Sequence, residues 1–358
     1  MATAMMMQVG ETQLEQMDEV EEELTTEETP EEEEKQLNYH HVQDLQNHGI
    51  SIADVNRLAK AGYCTIESVA FESCKKLSGI SGVSEVKIKT IQEVARQYCP
   101  CTFSTAAQEL QARQNMVQIT TGSTALDNLL NGGIETGSLT ELYGEFRTGK
   151  TQLCHTLCVT SQLSSEQGGG EGKAMYIDTE GTFRPDRLQE IAERFGVDKD
   201  EVLENVVCAR AYNTEHQTEL LKSACGLMSE DRFVLLVVDS ATALYRTDYI
   251  GRGQLSDRQV HLALFLRQLT RMAMEFGIAV VLTNQVVANP DGNSAFGSKE
   301  NTLKPIGGNI IAHASHTRLS FRKAKNANRI CRVIDSPVLP ESEAPFSVSS
   351  AGIDDATG

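Results

Sequence analysis

The chain of 358 residues lacks the sequence features of a membrane or secreted protein. No apolar run reaches the length of about 20 residues that a membrane-spanning helix needs. The N-terminus contains several methionines but no basic segment ahead of an apolar one, so we expect no secretory signal. These absences predict a protein that has no membrane partner.

The nine cysteines lack the spacing of a zinc or redox motif. Their number is odd, and no two of them form a Cys-x-x-Cys pair. Cys154 and Cys158 are one helical turn apart, a spacing at which small buried side chains are common. We therefore expect reduced thiols in a cytosolic or nuclear protein, and the pattern argues against a zinc site.

The chain has no basic excess, because its formal net charge is −18. By itself this balance argues against binding to nucleic acid. The acidic excess is concentrated at one end, however, since residues 1–38 contain 13 Asp or Glu residues and one Lys. We expect residues 1–35 to be an acidic disordered tail, because they have too few large apolar side chains to offset the entropy of ordering. The charge of the remaining chain does not exclude a basic surface.

Two stretches follow the tail before the main domain. Residues 36–98 predict a small all-α domain, in which Gly79 and Gly82 lie between two helical segments. The sequence Leu-Ser-Gly-Ile-Ser-Gly-Val around them resembles a helix-hairpin-helix, a motif whose turn presents backbone N–H groups to a DNA phosphate. An ordinary helical hairpin is the alternative. Residues 99–115 predict a linker with an apolar pair, Phe103 and Ala106, for which packing on the chain's own core is the alternative.

Residues 116–358 predict an α/β domain. In this part of the chain, apolar strand-like runs alternate with helical patterns. The alternation implies a mostly parallel sheet that is covered by helices on both faces. The candidate strands are residues 138–143, 174–178, 206–210, 233–239, 277–283 and 317–323.

One stretch of this domain has the pattern G-x-x-x-x-G-K-T of a phosphate-binding loop. It consists of Gly144, Glu145, Phe146, Arg147, Thr148, Gly149, Lys150 and Thr151. The flanking residues predict a strand before it and a helix after it, which is the context that this motif requires. We expect Lys150 to reach the β- and γ-phosphates of a nucleotide and Thr151 to hold Mg²⁺.

Three polar residues follow predicted strands and are candidates for the same site. Asp239 ends an apolar strand, as a Mg²⁺-positioning carboxylate does in nucleotide hydrolases. Glu180 lies just past a strand end, where a carboxylate can orient and polarise an attacking water. Gln285 ends another strand and could sense the γ-phosphate. The alternatives are a core Asp, a solvated loop Glu and a structural amide.

Two long glycine-rich segments with basic residues follow the strands that end near Asp239 and Gln285. The first covers residues 246–258 and the second residues 286–309. Arg and Lys mixed with Tyr and Phe suit single-stranded DNA, because cations track the phosphates and apolar side chains stack on the bases. A mobile surface loop is the alternative. The candidate DNA contacts are Arg246, Arg252, Arg258 and Phe296.

Four motifs of the chain are long and specific. They are the phosphate-binding loop, Tyr-Ile-Asp-Thr-Glu-Gly-Thr-Phe-Arg-Pro at 176–185, Asp-Ser-Ala-Thr-Ala-Leu-Tyr-Arg at 239–246 and Pro-Ile-Gly-Gly-Asn-Ile-Ile-Ala-His-Ala at 305–314. These motifs resemble the eukaryotic RecA-type recombinases, which are homologues of bacterial RecA and archaeal RadA. The resemblance implies a RecA-like P-loop ATPase core preceded by the helix-hairpin-helix domain. It also implies a nuclear protein that uses ATP and Mg²⁺, forms helical filaments on single-stranded DNA and exchanges strands with a homologous double-stranded DNA.

The resemblance implies roles for individual residues. Lys150, Glu180 and Gln285 are the expected catalytic residues, and Asp239 supports the metal together with Thr151. The residues expected to meet ATP across the boundary with a neighbouring subunit are His313, Asp335 and Pro337. Those expected in the DNA loops are Arg252 and Arg258 in the first loop and Phe296 in the second.

The same resemblance implies a role for the linker. Phe103 and Ala106 match the Phe-x-x-Ala polymerisation motif, which adds a strand to the adjacent subunit and places the Phe in a pocket. The residues expected to line that pocket are Ala209, Leu220, Ala224 and Leu227. Mediator proteins of the family's pathway are expected to compete for the pocket with the same motif.

Some details bear on the type of recombinase and on other function classes. Residues 261–266 and 284–288 resemble the general mitotic recombinase more than the meiosis-specific paralogue, whereas Pro290 stands where family members usually have a residue such as Val. A non-catalytic structural paralogue and a ring helicase share parts of the pattern. Lys150, Glu180 and Gln285 argue against the first, and the linker and the hairpin domain argue against the second.

Overall fold

The computed structural model describes residues 39–99, 103–288, 303–325 and 328–356. These residues belong to one compact unit. The predicted acidic tail, Pro290 and Phe296 lie outside the described residues. None of the described helices combines the length and the apolar character that crossing a membrane requires.

The first folded part consists of short helices. A 3₁₀ helix, Val42–His48, is followed by α1 Ile52–Lys60, α2 Ile66–Phe71, α3 Cys74–Leu77 and α4 Glu85–Tyr98. Each α-helix begins after a hydroxyl side chain that accepts a hydrogen bond from a backbone N–H of the first turn. Such caps satisfy N–H groups that have no partner inside the helix. The capping residues are Ser51, Thr65, Ser73 and Ser84.

These helices pack around a hydrophobic core of their own, which includes Leu45, Leu58 and Ile66. Between α3 and α4, Gly82 has a φ of +86°, a backbone conformation that favours glycine. A Cβ atom at this position would lie 2.9 Å from Nε of Arg57. The two helices and the turn between them have the order that a helix-hairpin-helix requires, and its contact with DNA stays a prediction.

The predicted linker contains a helix, α5, which spans Ala106–Gln114. Thr105 and Gln108 form a capping box at its start, and none of its side chains is buried. Phe103 is fully exposed. Packing of Phe103 on the chain's own core, the alternative for this residue, is therefore wrong. The domain boundaries inferred from the sequence stay predictions.

The main domain is built around a sheet of nine strands, with two short ribbons beside it. The strands are β1 Gln118–Ile119, β2 Ile134–Glu135, β3 Leu139–Gly144, β4 Lys173–Asp178, β5 Val206–Arg210, β6 Phe233–Asp239, β7 Ala279–Asn284, β8 Val286–Ala288, β9 Leu303–Pro305, β10 Thr317–Lys323, β11 Asn328–Asp335, β12 Glu343–Ser349 and β13 Gly352–Asp355. Strands β1 and β2 form one ribbon, and β8 and β9 form the other.

The order across the large sheet is β13-β12-β11-β10-β3-β7-β6-β4-β5. Every neighbouring pair from β10 to β5 is parallel. All six predicted strands are present, so the mostly parallel α/β sheet is confirmed. The antiparallel extension through β11, β12 and β13 was not among the predicted strands. Polar residues alternate with buried ones there, as they do in half-exposed antiparallel strands.

Helices cover both faces of the sheet. They are α6 Thr124–Leu129, α7 Lys150–Thr160, α8 Pro185–Phe195, α9 Lys199–Glu204, α10 Thr214–Glu230, α11 Ala243–Asp248, α12 Leu255–Phe276 and α13 Gly308–Ala314. Strand β6 is buried at every position. Leu235 and Val237 point into the core beneath α7 and α8, whereas Leu236 and Val238 point into the core beneath α10 and α12. Successive side chains of a strand alternate between its faces, so an uninterrupted apolar run is needed here.

The contacts that join the helical part to the main domain include three polar ones. Tyr39 donates a hydrogen bond from its hydroxyl to the carbonyl oxygen of Met228 across 3.0 Å. Nη1 of Arg271 lies 3.2 Å from Oε2 of Glu72. Thr65 donates a hydrogen bond to Glu275. The contacts connect the start of the described chain and α2 with α10 and α12.

Candidate nucleotide-binding site

The phosphate-binding loop connects the end of β3 to the start of α7. Gly144 has a φ of 154°, and a Cβ atom there would lie 2.2 Å from the carbonyl oxygen of Phe321. Arg147 and Gly149 also have positive φ angles, of 63° and 103°. The loop therefore wraps tightly at the N-terminus of an 11-residue helix, where free backbone N–H groups favour anions.

A cavity of about 730 Å³ opens beside this loop. Such a volume lies within the range of small-molecule sites. Besides residues of the loop, the lining of the cavity includes Glu180, Thr182, Asp239, Thr283, Gln285 and Arg329. The structure therefore brings the predicted Lys150, Thr151, Glu180, Asp239 and Gln285 to one place.

Lys150 folds back over the loop. Its Nζ donates hydrogen bonds to the carbonyl oxygens of Gly144 and Glu145, each across 2.9 Å. Burial lowers the pKa of Lys150, and the carboxylates of Asp239 and Glu180 act in the opposite direction. An anion in the cavity would favour the charged form of the ammonium further. The position fits a lysine that binds phosphates.

Asp239 is buried at the end of β6 and accepts hydrogen bonds from hydroxyl groups. Oγ1 of Thr151 donates to Oδ2 across 2.7 Å, and the hydroxyl of Tyr176 donates to the same oxygen across 2.8 Å. Thr283 donates to Oδ1. The first turn of α7 and a strand end thus present a hydroxyl and a carboxylate together. This oxygen donor set fits Mg²⁺, which prefers oxygen ligands.

Glu180 forms the middle of a chain of hydrogen bonds. Its Oε1 accepts from Oγ of Ser240 across 2.8 Å and from Nε2 of Gln285 across 2.7 Å. Oε1 of Gln285 in turn accepts from Nη1 of Arg246 across 2.8 Å. The chain runs from the cavity to α11, at the start of the first basic segment.

The two amides at the end of β7 differ in their surroundings. Asn284 is buried, donates to Oε1 of Glu141 and to the carbonyl oxygen of Ile306, and accepts from Thr242. It is therefore a structural amide with all of these partners inside the protein. Gln285 follows the strand, is half-buried, and faces Glu180.

Sequence reasoning missed Asp178, which holds the turn that carries Glu180. Its Oδ1 accepts from the backbone N–H groups of Glu180 and Gly181 across 3.0 and 2.7 Å. Further N–H groups of the same turn donate to this carboxylate, and Nη1 of Arg210 lies 3.1 Å from Oδ1. An Asp that ends a strand and is followed by a short polar turn is a signal that could have predicted this role.

His155 is a second residue that sequence reasoning missed. It is fully buried on α7, and its Nε2 accepts from the backbone N–H of Arg184 across 3.1 Å. Nδ1 therefore carries the proton and donates to the carbonyl oxygen of Thr151 across 2.7 Å. Burial lowers the pKa of His155, which favours this neutral form. The imidazole connects the first turn of α7 with the end of the Glu180 turn.

The other predicted site residues lie outside this cavity. His313 on α13 is exposed, as are Asp335 at the end of β11 and Pro337. None of the three is among the residues that line the cavity of their own chain. Gly79 and Gly82 belong to the helical part.

The predicted DNA contacts are only partly described. Arg246 lies on α11 and bonds to Gln285, whereas Arg258 lies in the first turn of α12. Arg252 begins a 3₁₀ helix, Arg252–Gln254. Phe296 lies outside the described residues.

The predicted polymerisation pocket lies at an edge of the large sheet. Ala209 belongs to β5, which is the last strand at that edge. Leu220, Ala224 and Leu227 lie on α10, and Leu227 is exposed. An edge strand offers free backbone groups to an added strand. Within the part of the chain that the structure describes, Phe103 is exposed and no strand pairs with the outer edge of β5.

Comparison with known proteins identifies the family. The family model described as Rad51 matches residues 112–356. DNA repair protein RAD51 homolog 1 of Arabidopsis thaliana is 59% identical over 314 residues, which cover 88% of this chain and 91% of that protein. DNA repair protein RAD51 homolog B of Zea mays is also 59% identical, over 88% of this chain and 92% of its own length. DNA repair protein RAD51 of Mycosarcoma maydis is 57% identical, over the same shares. The chain belongs to the Rad51 family.

Proposed function

We propose that the protein is an ATP-dependent DNA recombinase of RAD51 type. It assembles as a helical filament on single-stranded DNA, searches double-stranded DNA for homology and exchanges strands. As a member of the Rad51 family, it is a DNA repair and recombination protein with a RecA-type ATPase core. The observation that carries the proposal is the hydrogen-bonded chain Ser240–Glu180–Gln285–Arg246, which connects the nucleotide cavity with the first basic segment.

ATP binds through the phosphate-binding loop. The backbone N–H groups of Gly144 to Thr151 and the ammonium of Lys150 hold the phosphates. Thr151 and Asp239 hold Mg²⁺, which would supply positive charge to offset that of the phosphates. Support for these roles comes from the hydroxyl–carboxylate pair of 2.7 Å between Thr151 and Asp239.

Glu180 orients and polarises the attacking water. Its carboxylate lines the cavity, and two hydrogen bonds from Ser240 and Gln285 restrict its orientation. A general base must lie within hydrogen-bond reach of the proton that it accepts, so a fixed carboxylate suits this role.

Gln285 couples the nucleotide state to DNA. Its amide bonds to Glu180 on one side and to Arg246 on the other. A shift of Glu180 therefore moves the Gln285 side chain, to which Arg246 is hydrogen-bonded. The DNA itself is bound by the first segment, with Arg246, Arg252 and Arg258, and by the second, with Phe296. The turn with Gly79 and Gly82 adds a further contact to DNA phosphates.

Filament assembly uses the linker. Phe103 and Ala106 bind the neighbouring subunit at the edge of β5, in the pocket formed by Ala209, Leu220, Ala224 and Leu227. The exposed side chain of Phe103 supports this role, as does the outer edge of β5, which pairs with no other described strand. Mediator proteins compete for the same pocket.

The residues that complete the ATP site of the neighbouring subunit are His313, Asp335 and Pro337. Such a protein acts in the nucleus.

Strand exchange between single-stranded DNA and homologous double-stranded DNA, with ATP and Mg²⁺, tests the proposal. The wild-type chain should exchange strands, whereas Lys150→Ala should lose ATP binding and exchange. Normal exchange by Lys150→Ala would contradict the assignment of the site. Hydrolysis that single-stranded DNA does not stimulate would favour a non-catalytic paralogue, and closed hexamers in electron micrographs would favour a ring helicase.

A further inference from the structure

A second group of metal-binding side chains lies in the helical part of the chain. His40 precedes the 3₁₀ helix, Glu67 is in the first turn of α2, and Cys99 follows α4. Nδ1 of His40 lies 2.7 Å from Oε1 of Glu67, and Sγ of Cys99 lies 3.4 Å from the same oxygen. One ligand atom from each residue lies within 4.8 Å of the other two. Three separate segments therefore converge on a volume that suits a single ion.

Among the described residues, no Lys or Arg side chain balances the charge of this cluster. The Glu67 side chain is only 19% exposed, and in the described residues it has no ion pair with Lys or Arg. Its oxygens accept from the backbone N–H and Nδ1 of His40 and from the thiol of Cys99. Burial, followed by the charge of Glu67, raises the pKa of Cys99 to about 12. A divalent cation would reverse this effect, because its charge favours the thiolate.

The types of donor atom select among metals. An imidazole nitrogen, a carboxylate oxygen and a thiolate sulfur together are ligands of Zn²⁺, whereas Mg²⁺ and Ca²⁺ prefer oxygen alone. Tetrahedral Zn²⁺ separates such ligand atoms by about 3.3–3.6 Å. The Cys99–Glu67 distance is already in this range, and His40 would move away from Glu67 by roughly half an ångström.

We propose that His40, Glu67 and Cys99 form a Zn²⁺ site with water as a fourth ligand. On binding, the S–H bond of Cys99 and the Nδ1–H bond of His40 break, and sulfur–zinc and nitrogen–zinc bonds form. The thiol proton passes to solvent, and the imidazole becomes the Nε2–H tautomer by exchanging its proton with solvent, with no change of oxidation state. The ion would connect the start of the described chain to the end of α4, four residues before Phe103. It would thereby define where the linker leaves the helical part, whatever the function of the linker.

Sequence spacing could not reveal this site. Glu67 is 27 residues from His40 and 32 residues from Cys99, so the ligands meet only after α2 and α4 have packed. The sequence argued against a zinc site because no two cysteines have Cys-x-x-Cys spacing, and that criterion does not apply to ligands far apart in the chain. Hydrogen bonds alone are the competing explanation of the cluster, and they require no ion.

Cobalt absorption distinguishes the two explanations. The full chain, stripped of metal with a chelator, is titrated with Co²⁺, and one equivalent should produce tetrahedral ligand-field bands and a thiolate-to-cobalt charge-transfer band. Zn²⁺ should displace the Co²⁺. The charge-transfer band separates this site from Thr151 and Asp239, which offer only oxygen. In Cys99→Ser the band should disappear, whereas in Cys74→Ser, which removes an exposed thiol of the same helical part, it should remain.

Two further variants test the other ligands. His40→Gln and Glu67→Gln should each weaken Zn²⁺ binding at least tenfold. A ligand that binds only the folded state raises thermal stability, so Zn²⁺ should raise the melting temperature of the wild type and not that of Cys99→Ser. The circular dichroism spectrum of each variant confirms that it is folded. Absence of a charge-transfer band at one equivalent of Co²⁺, or its persistence in Cys99→Ser, would overturn the proposal.

Discussion

Nε2 of Gln285 donates a hydrogen bond to Oε1 of Glu180 across 2.7 Å. The same amide accepts from Arg246 through its own oxygen across 2.8 Å. A single side chain therefore contacts both the carboxylate of the nucleotide cavity and the first residue of the basic segment.

Gln285→Ala should uncouple hydrolysis from DNA. Hydrogen bonds to charged groups contribute about 1.5–3 kcal/mol, so losing them should reduce the stimulation of hydrolysis by single-stranded DNA about tenfold or more. ATP binding should change little, because Lys150 and Thr151 are intact. Hydrolysis rates with and without DNA measure the effect, and Gln97→Ala, an exposed glutamine on α4, is the control. Full stimulation in Gln285→Ala would show that the coupling takes another route.

Glu180→Gln should separate ATP binding from hydrolysis. The amide keeps the shape of the side chain but cannot act as a base, and loss of a general base typically lowers kcat by about 10²- to 10⁴-fold. Binding of ATP and assembly on single-stranded DNA should persist. Turnover assays and electron microscopy of the same preparation check both expectations. Hydrolysis at the wild-type rate would exclude Glu180 as the catalytic carboxylate.

Asp178→Asn should lower kcat for ATP hydrolysis while leaving KM for ATP nearly unchanged. The neutral amide loses the ion pair with Arg210 and has one oxygen instead of two for the N–H groups of the Glu180 turn. Because Glu180 acts on the water and not on ATP binding, misplacing it should reduce kcat, by roughly tenfold. Asp186→Asn, an exposed position at the start of α8, is the control. Equal changes in kcat and KM would point to general unfolding of the site.

The sequence predicts the parallel part of the sheet well for a physical reason. A strand covered on both faces must be apolar throughout, and β6 is buried at all its positions. Strands β11 to β13 carry a weaker signal, because alternating exposed residues interrupt the apolar pattern. The helix in the linker was not predicted either, since α5 buries no side chain and has no apolar face to reveal it.

The site residues that could be predicted from the sequence either belong to the phosphate-binding loop or end an apolar run. Lys150 and Thr151 belong to the motif, and Asp239 and Gln285 end apolar runs. His155 and Asp178 act through backbone atoms that a motif does not specify. The N–H of Arg184, for example, reaches His155 from 29 residues away and only after α7 has packed against the turn. Contacts of this kind depend on the folded backbone and not on residue types.

Glu275→Gln should stabilise the protein at neutral pH. Burial raises the pKa of Glu275, against the opposing effects of Thr65 and Arg271, while the charge of Glu67 raises it further. Because the folded pKa lies above the unfolded value of about 4.3, the folded state binds the proton more tightly. The stabilisation that proton binding to Glu275 adds to the free energy of unfolding is therefore fully present below the unfolded pKa. It is lost as pH rises through the folded pKa.

Urea unfolding at pH 5 and pH 7.5 tests this prediction. The free energy of unfolding of Glu275→Gln should exceed that of the wild type at pH 7.5, and the difference should shrink toward pH 5. Glu93→Gln, at an exposed position on α4, should show no such dependence. A variant that is less stable than the wild type at pH 7.5 would mean that the charge of Glu275 is favourable beside Arg271.

Phe103→Glu should give a soluble monomer that still binds ATP. Phe103 is fully exposed in the single chain, so its replacement leaves the fold of that chain intact. In a filament the same side chain would enter an apolar pocket, where an unpaired carboxylate costs several kcal/mol. Sedimentation measures the assembly state, and nucleotide binding confirms an intact cavity. Phe71→Glu, which charges another exposed phenylalanine, should still assemble. If Phe103→Glu also forms filaments on DNA, the subunits associate through a surface other than the linker and the edge of β5.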